Sequence, residues 1–351
     1  MEASSDRGQV FRLGQPWQGA PPFLFANWHV DHYPAGNEDM TPATGLDGRP
    51  LGSDFGHPSG WNMYHGQSVP GFPAHPHRGF ETITILSGGY VDHADSTGAA
   101  ARFGPGDVQW LTAGRGISHS EMFPLLETDA DNPFELFQIW LNLPAASKMV
   151  EPEFRMLWNE DIPVVRVAGP GGGEARVKVI AGRYLTEQGD AVDPLAPPVG
   201  SWAADPASDV AVWLLELDPH ARVELPAQSA DQAQRVLYVY GDGSHATVAG
   251  RGVEAGFGFA QAGPGTTLIE TGASGAKLLL LQGVPIDEPV AQHGPFVMNT
   301  RDELIEAYDE YQRTRFGGWP WGRDDVVHPR TEGRFARHTD GRLERPGATA
   351  R

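Results

Sequence analysis

Short apolar runs alternate with turns rich in Gly, Pro and Asp throughout the first half of the chain. From Phe23 to about Trp158, the runs FETITILSG, ARFGPGDVQWLTAG and FELFQIWLNLP have the length and residue types of β-strands. The stretch from Glu38 to Gly60 is instead polar and turn-rich, which predicts a long loop outside the core. The pattern therefore predicts an antiparallel barrel or sandwich.

The same pattern starts again after a glycine-rich stretch at residues 169–173. Four further runs read as strands: VAVWLLELDP, RVLYVYGDG, AGFGFAQAGPGTTLIE and AKLLLLQGVP. GPGDVQWLTAG in the first half and QAGPGTTLIETG in the second half occupy similar places, as in a weak internal duplication. We therefore predict an N-terminal domain over residues 1–160 and a C-terminal domain over residues 161–298.

Helical spacing appears only near the end of the chain. Thr300 and Glu303 form a capping-box pattern, and a glycine pair follows Phe316, so the sequence predicts a helix from Thr300 to Phe316. Four apolar residues at helical spacing should pack this helix and help to hold the two domains together: Leu304, Ile305, Tyr308 and Tyr311. The tail beyond Pro329 is rich in arginine and poor in apolar residues, which favours disorder. Residues 299–351 are thus predicted to be a helix and a disordered tail.

Composition narrows the possible chemistry. The formal charge is −19, with 45 acidic residues against 26 basic ones, which argues against direct nucleic-acid binding. The chain has no cysteine, so a metal would need histidine and carboxylate ligands. No secretory-type start and no run of eighteen apolar residues is seen, so we expect a cytoplasmic protein without a membrane span. We also expect a monomer.

Two pairs of potential metal ligands recur at strand spacing. His75 and His77 are two residues apart, so in a strand their side chains share one face. His119 and Glu121 have the same spacing. One such pair alone is weak evidence, because paired histidines often have only structural roles. Together, three imidazoles and one carboxylate suit a divalent first-row metal: Fe(II), Mn, Ni, Cu or Zn.

Several separated stretches together resemble one known family. HPHRGFETITIL, PGDVQWLTAGRGISHSEM, FQIWLNLP, DEPVAQHGPFVMNTRDEL and RFGG agree in order with the pirin family of the cupin superfamily, from about Phe23 to Gly318. The resemblance implies an all-β bicupin fold, with two antiparallel β-barrels packed face to face and a C-terminal helix. It also implies a metal site in the N-terminal barrel only. The family ligands carry over to His75, His77, His119 and Glu121, with Fe(II) as the favoured metal.

Other residues near the motifs have weaker claims to a role in the site. Glu81 has the parity of the His75 pair, and the resemblance places it behind the ligands and not among them. His93 follows the glycines that end a strand and could be a further ligand, but we interpret it as a solvated turn residue, because turn histidines are more often solvated than metal-bound. Tyr64 is expected at the rim of the site. The remaining histidines are interpreted as structural or exposed: His29, His32, His57, His65, His220, His245, His293, His328 and His338.

Two functions from different classes follow from the resemblance. One is a metal-dependent dioxygenase that opens the heterocycle of a flavonol such as quercetin, a small aromatic substrate, with Glu121 accepting the hydroxyl proton. The other is a metal-sensing protein that binds protein partners, for example as a transcription co-regulator, without catalysis. The sequence alone does not decide between them. A purely structural metal is disfavoured, because a chain of 351 residues has enough core without one.

Overall fold

The computed structural model describes residues 8–347, and most of its regular structure is β. The beginning of the predicted N-terminal domain, residues 1–7, and the end of the predicted tail, residues 348–351, lie outside the described residues. The strands of the first half are β1 (Gly8–Arg12), β2 (Trp17–Gln18), β3 (Phe23–Tyr33), β4 (Gly71–His77), β5 (Phe80–Gly88), β6 (Val91–Asp95), β7 (Ala100–Phe103), β8 (Val108–Thr112), β9 (Ile117–Met122), β10 (Asn132–Asn142) and β11 (Glu153–Leu157).

The second half repeats this strand-rich pattern and ends with a helix. Its elements are β12 (Val164–Ala168), β13 (Glu174–Ala181), β14 (Tyr184–Leu185), β15 (Ala191–Val192), β16 (Ala211–Leu217), β17 (Arg222–Leu225), β18 (Gln234–Tyr240), β19 (His245–Val248), β20 (Arg251–Glu254), β21 (Phe257–Gln261), β22 (Thr267–Glu270), β23 (Ala276–Gly283), β24 (Ala291–His293), β25 (Phe296–Met298), α1 (Arg301–Thr314), β26 (Phe335–Arg337) and β27 (Leu343–Glu344). Short 3₁₀ turns span Ala145–Ser147, Trp202–Ala204 and Pro206–Ser208.

The described chain forms two compact units, and each unit is made of three segments that are separated in sequence. The C-terminal unit contains residues 8–26, Trp140–Pro144 and Asp161–Asp287. The N-terminal unit contains Asn27–Ile139, Ala145–Glu160 and residues 288–347. These units do not follow the order of the predicted domains 1–160, 161–298 and 299–351. The physical reason at the start of the chain is backbone pairing, because β1 is hydrogen-bonded antiparallel to β21.

The C-terminal unit has an apolar interior. A seven-stranded sheet has the order β1-β21-β18-β23-β16-β13-β12, and a four-stranded sheet has the order β17-β22-β19-β20. Nearly every residue of β18 and β23 is buried, and Leu237, Val239, Leu278 and Leu280 belong to one apolar cluster. The hydrophobic effect thus accounts for this unit's cohesion, because apolar side chains fill its core.

Two sheets, most of whose strands belong to the N-terminal unit, carry the predicted site. One six-stranded sheet has the order β11-β8-β5-β10-β3-β2, and the other has the order β27-β26-β7-β6-β9-β4. Both are open ladders, so the closed barrels expected from the resemblance are not seen among the described residues. The strands that hold the two motif pairs, β4 and β9, are direct neighbours, and His75 lies opposite His119 in register.

The predicted helix is present, with its predicted N-terminal cap. The Thr300 hydroxyl accepts from the Glu303 amide at 3.2 Å, while the Glu303 carboxylate accepts from the Thr300 amide at 2.8 Å. Arg315, in the left-handed conformation, caps the C-terminus. The capping box therefore fixed where this helix begins.

The packing face of the helix differs in part from the prediction. Leu304 and Ala307 are buried against Phe296, whereas Ile305 is 52% exposed, so its predicted packing role is wrong. Ile305 lies one residue beyond Leu304, about 100° around the helix, and that rotation turns it to solvent. Within the N-terminal unit, Glu310 of the helix forms an ion pair of 2.7 Å with Arg78, which follows β4.

The tail beyond Pro329 is ordered up to residue 347, contrary to the predicted disorder. β26 extends the second sheet by pairing with β7, and Phe335 and Ala336 are almost fully buried. Arg102, a buried arginine of β7, donates to the carbonyls of His328, Pro329 and Glu332. A buried cation that needs acceptors thus holds a segment with few apolar residues.

The polar stretch from Glu38 to Gly60 also contributes to the core, although it was predicted to lie outside. Arg49 is buried and forms a 2.5 Å ion pair with Asp54, and its guanidinium lies 3.4 Å from the centre of the Trp61 ring. The loop is therefore fixed by a buried ion pair as well as by the packing of Leu46 against the core. Within residues 8–347, no helix combines the length and hydropathy needed to cross a bilayer.

Candidate metal centre

Three of the four predicted ligands converge in the N-terminal unit. His75 and His77 come from β4 and His119 from β9, and one ring nitrogen from each lies within 4.8 Å of the others. The ring centroids of the three imidazoles are 4.5–4.9 Å apart. Among the described residues this is the one cluster of three or more histidine or acidic side chains with this spacing. The three histidines could therefore hold a metal ion.

The imidazoles are held in the neutral form that a metal requires. Burial lowers the pKa of His75 to about 4. Burial, and after it the neighbouring histidines, lowers the pKa values of His77 and His119 well below the usual range. The carbonyl of Pro73 is 2.9 Å from Nδ1 of His75, so this nitrogen carries the proton and Nε2 keeps its lone pair. Metal ligation needs such a lone pair.

His119 provides a direct test of whether a metal fits. It is fully buried, and neither of its ring nitrogens has a hydrogen-bond partner among residues 8–347. An unsatisfied buried polar atom costs roughly 1–3 kcal/mol, so native proteins seldom leave one without a function. A metal ion bound by the three imidazoles would give one of these two nitrogens a partner. The three histidines therefore fit the predicted divalent metal ion.

Glu121 lies beside this cluster without being part of it. Its carboxylate oxygen Oε2 is 3.7 Å from Nε2 of His119. Gln138 donates to Oε2 at 2.9 Å, and the Thr84 hydroxyl lies 3.1 Å from Oε1 and 2.6 Å from the amide oxygen of Gln138. Burial raises the pKa of Glu121, and His93 and the two hydrogen bonds oppose this shift only in part. The predicted role of Glu121 as a fourth ligand stays a prediction.

Sequence reasoning missed the two residues that hold Glu121. Thr84 is on β5 and Gln138 on β10, two adjacent strands of the first sheet. Gln138 is a polar residue within the apolar run FELFQIWLNLP, which is the signal that could have drawn attention to it. Thr84 gives no comparable signal, because threonine is common in strands.

Glu81 lies on the opposite face of β5 from Thr84. It pairs with Thr112 in an unshifted antiparallel register, and residues three apart in a strand point to opposite sides. Its Oε1 accepts from the Thr112 hydroxyl at 2.6 Å and from Nε1 of Trp110 at 3.0 Å. Glu81 has the same odd numbering as His75 and His77, but a turn separates β4 from β5. The shared spacing therefore does not put Glu81 on the face of the histidines.

His93 corrects a second expectation. It lies within β6, fully buried and in register with Glu121, and not in a solvated turn. Its Nε2 is 3.1 Å from a carboxylate oxygen of Asp95, and its ring centroid is 5.5 Å from that of His119. The glycines that precede it lie in the short connection from β5 to β6, which crosses from the first sheet to the second, and His93 lies beyond that connection in β6.

Comparison with known proteins defines the class first. A family model for pirin matches residues 53–141, and one for the pirin C-terminal cupin domain matches residues 212–317. This chain is thus a mostly β protein of two domains with a cupin-type fold. A pirin-like protein of Caulobacter vibrioides is 43% identical over 252 residues, which cover 70% of this chain and 80% of that protein. The chain belongs to the pirin family.

More distant relatives agree with this assignment. Human pirin is 30% identical over 275 residues, covering 73% of this chain and 81% of human pirin. The crystal structure of a quercetin 2,3-dioxygenase from Acinetobacter baumannii aligns with a TM-score of 0.65 at 27% identity, covering 85% of this chain and 87% of that one. The family resemblance read from the motifs is therefore confirmed.

Proposed function

We propose that this chain is a metal-dependent dioxygenase that acts on a flavonol such as quercetin. The observation that carries the proposal is the convergence of three neutral imidazoles, two buried and that of His75 half-buried, beside a buried carboxylate. The similar structure from Acinetobacter baumannii is that of a quercetin 2,3-dioxygenase, which supports the substrate class. Fe(II) is the first candidate metal, with Mn, Ni, Cu and Zn as alternatives, because this donor set is of borderline softness. We propose Glu121 as the fourth ligand.

A bound metal of this kind would supply Lewis-acid and redox chemistry at the three histidines. The chain's own contribution is proton handling at Glu121. When Glu121 is ionised, the Thr84 hydroxyl can donate to Oε1. When Glu121 is protonated, the same hydroxyl can accept from it and donate to the amide oxygen of Gln138 instead. This network accommodates both states, which supports a role for Glu121 as the acceptor of a flavonol's hydroxyl proton.

Oxygen uptake tests the proposal. Protein loaded in turn with Fe(II), Mn, Ni, Cu and Zn should consume oxygen in step with loss of quercetin for at least one metal. Glu121→Gln should keep metal yet lose turnover by roughly 10²–10⁴-fold, the usual contribution of general acid–base catalysis.

Glu81→Gln is the matched control, because Glu81 is also a buried carboxylate but lies on the other face of β5. It should cost far less than Glu121→Gln, and equal losses would contradict the role given to Glu121. If no metal supports oxygen uptake with any flavonol, the dioxygenase proposal fails. The alternative function as a metal-sensing binding protein would then be preferred.

A further inference from the structure

An aromatic surface lies next to the three histidines. Phe72 is in register with Glu121, so both side chains share one face of the sheet, and the Phe72 ring centroid is 6.2 Å from that of His75. The Tyr64 ring stacks on Phe72 at 5.1 Å, and His65 meets Phe72 edge-on at 5.7 Å. We call Phe72, Tyr64 and His65 the aromatic wall. Flat rings prefer such offset or edge-on neighbours.

His29 approaches the same wall from β3. Trp28 donates to Glu135 on β10, so the next residue, His29, faces the opposite side of the sheet. Its ring is half-buried and lies edge-on to both Tyr64, at 5.1 Å, and Phe72, at 6.3 Å. Sequence reasoning did not single out His29, because it has no partner histidine at two-residue spacing.

A hydrogen-bond chain fixes which nitrogen of His29 carries the proton. The Tyr64 hydroxyl donates to Oδ2 of Asp31 at 2.7 Å, and Asn62 donates twice to Oδ1 at 2.8 Å. When Asp31 is ionised it only accepts, so the hydroxyl proton of Tyr64 is donated to it. Nδ1 of His29, 2.9 Å from the Tyr64 oxygen, must then be the donor in that contact.

This tautomer leaves Nε2 of His29 as an acceptor. It has no hydrogen-bond partner within the described part of the chain, and burial lowers the His29 pKa to about 4, which keeps the ring neutral. A neutral nitrogen acceptor beside an aromatic wall is complementary to an aromatic ring that bears a hydrogen-bond donor, such as a hydroxyl group.

We infer that Nε2 of His29 accepts a hydrogen bond from a hydroxyl group of a substrate whose ring lies against Phe72. His29 would then determine specificity for hydroxylated over unsubstituted rings, and Tyr64 and Asp31 would be positioning residues that fix its tautomer. The identity of the substrate rests on the proposed function. The hydrogen-bond chain itself does not.

Binding without turnover tests this inference. Full-length protein loaded with zinc, which has no redox chemistry, is titrated with quercetin and with flavone, the parent ring system without hydroxyl groups. His29→Phe should weaken quercetin binding about tenfold and leave flavone binding within twofold, as expected for one lost hydrogen bond. Tyr64→Phe should weaken quercetin binding less, since it frees the tautomer but keeps the acceptor.

The matched control is His32→Phe, because His32 is exposed and lies three residues along β3, on its other face. It should change neither affinity. If His29→Phe and Tyr64→Phe both bind quercetin as the wild type does, the inference is overturned. Protein that discriminates through His29 but consumes no oxygen would keep the inference and end the dioxygenase proposal. If His29→Phe instead turns over quercetin with an unchanged KM, the dioxygenase proposal is kept and the inference about His29 is overturned.

Discussion

Replacing Phe335 by alanine tests whether the tail beyond Pro329 is part of the fold. Phe335 is only 2% exposed, its ring meets that of His328 edge-on at 5.0 Å, and its backbone is paired with Arg102 on β7. Truncation of a buried phenylalanine to alanine usually costs about 3–5 kcal/mol, from lost transfer free energy and the cavity that remains. Domains are stable by roughly 5–15 kcal/mol, so a loss of this size is easy to detect.

The assay is urea unfolding followed by tryptophan fluorescence. Leu343→Ala is the matched control, because Leu343 lies on β27 of the same tail but is 50% exposed. Its free energy of unfolding should stay within about 0.5 kcal/mol of the wild type. A Phe335→Ala protein with the midpoint of the wild type would refute the docking of the tail and restore the expectation of a disordered end.

Two further stability predictions concern buried cations. Arg102 donates to both carboxylate oxygens of Asp92, so Arg102→Met should destabilise the protein by about 3–5 kcal/mol in chemical denaturation, and Arg102→Met/Asp92→Asn should recover part of that loss. Burial lowers the pKa of Lys148 to about 8, below the ordinary value, so above pH 8 the unfolded chain binds more protons than the folded one. The wild type should therefore gain about 2 kcal/mol relative to Lys148→Met as the pH rises from 8 to 10, and a flat difference between the two unfolding curves would contradict this.

The histidine cluster was predictable because it depends on local rules. Side chains two apart in a strand share a face, and two such pairs on neighbouring strands bring His75, His77 and His119 together. The environment of Glu121 depends instead on which strands become neighbours. Thr84 and Gln138 form hydrogen bonds with Glu121 only once the two sheets have formed. The spacing of residues within either strand does not predict these hydrogen bonds.

The fold was predictable where apolar periodicity or capping determines it. The tail and the polar loop were misjudged because each is anchored by a buried arginine, Arg102 for the tail and Arg49 for the loop. Arg102 donates hydrogen bonds to a segment more than 200 residues away in sequence. Arg49 can be buried because it forms an ion pair with Asp54 and packs on the Trp61 ring. From composition alone, an arginine is expected to be exposed to solvent. A partner of opposite charge permits its burial, and that partner cannot be identified from composition.

Metal content is the most direct test of the central claim that His75, His77 and His119 form a metal centre. Wild-type protein and the double variant His75→Ala/His119→Ala are incubated with one equivalent of Fe(II) without oxygen, desalted and examined by elemental analysis. The wild type should retain one ion per chain, and the double variant should retain almost none while keeping its folded circular dichroism spectrum. Full stoichiometry in the folded double variant would contradict the assignment.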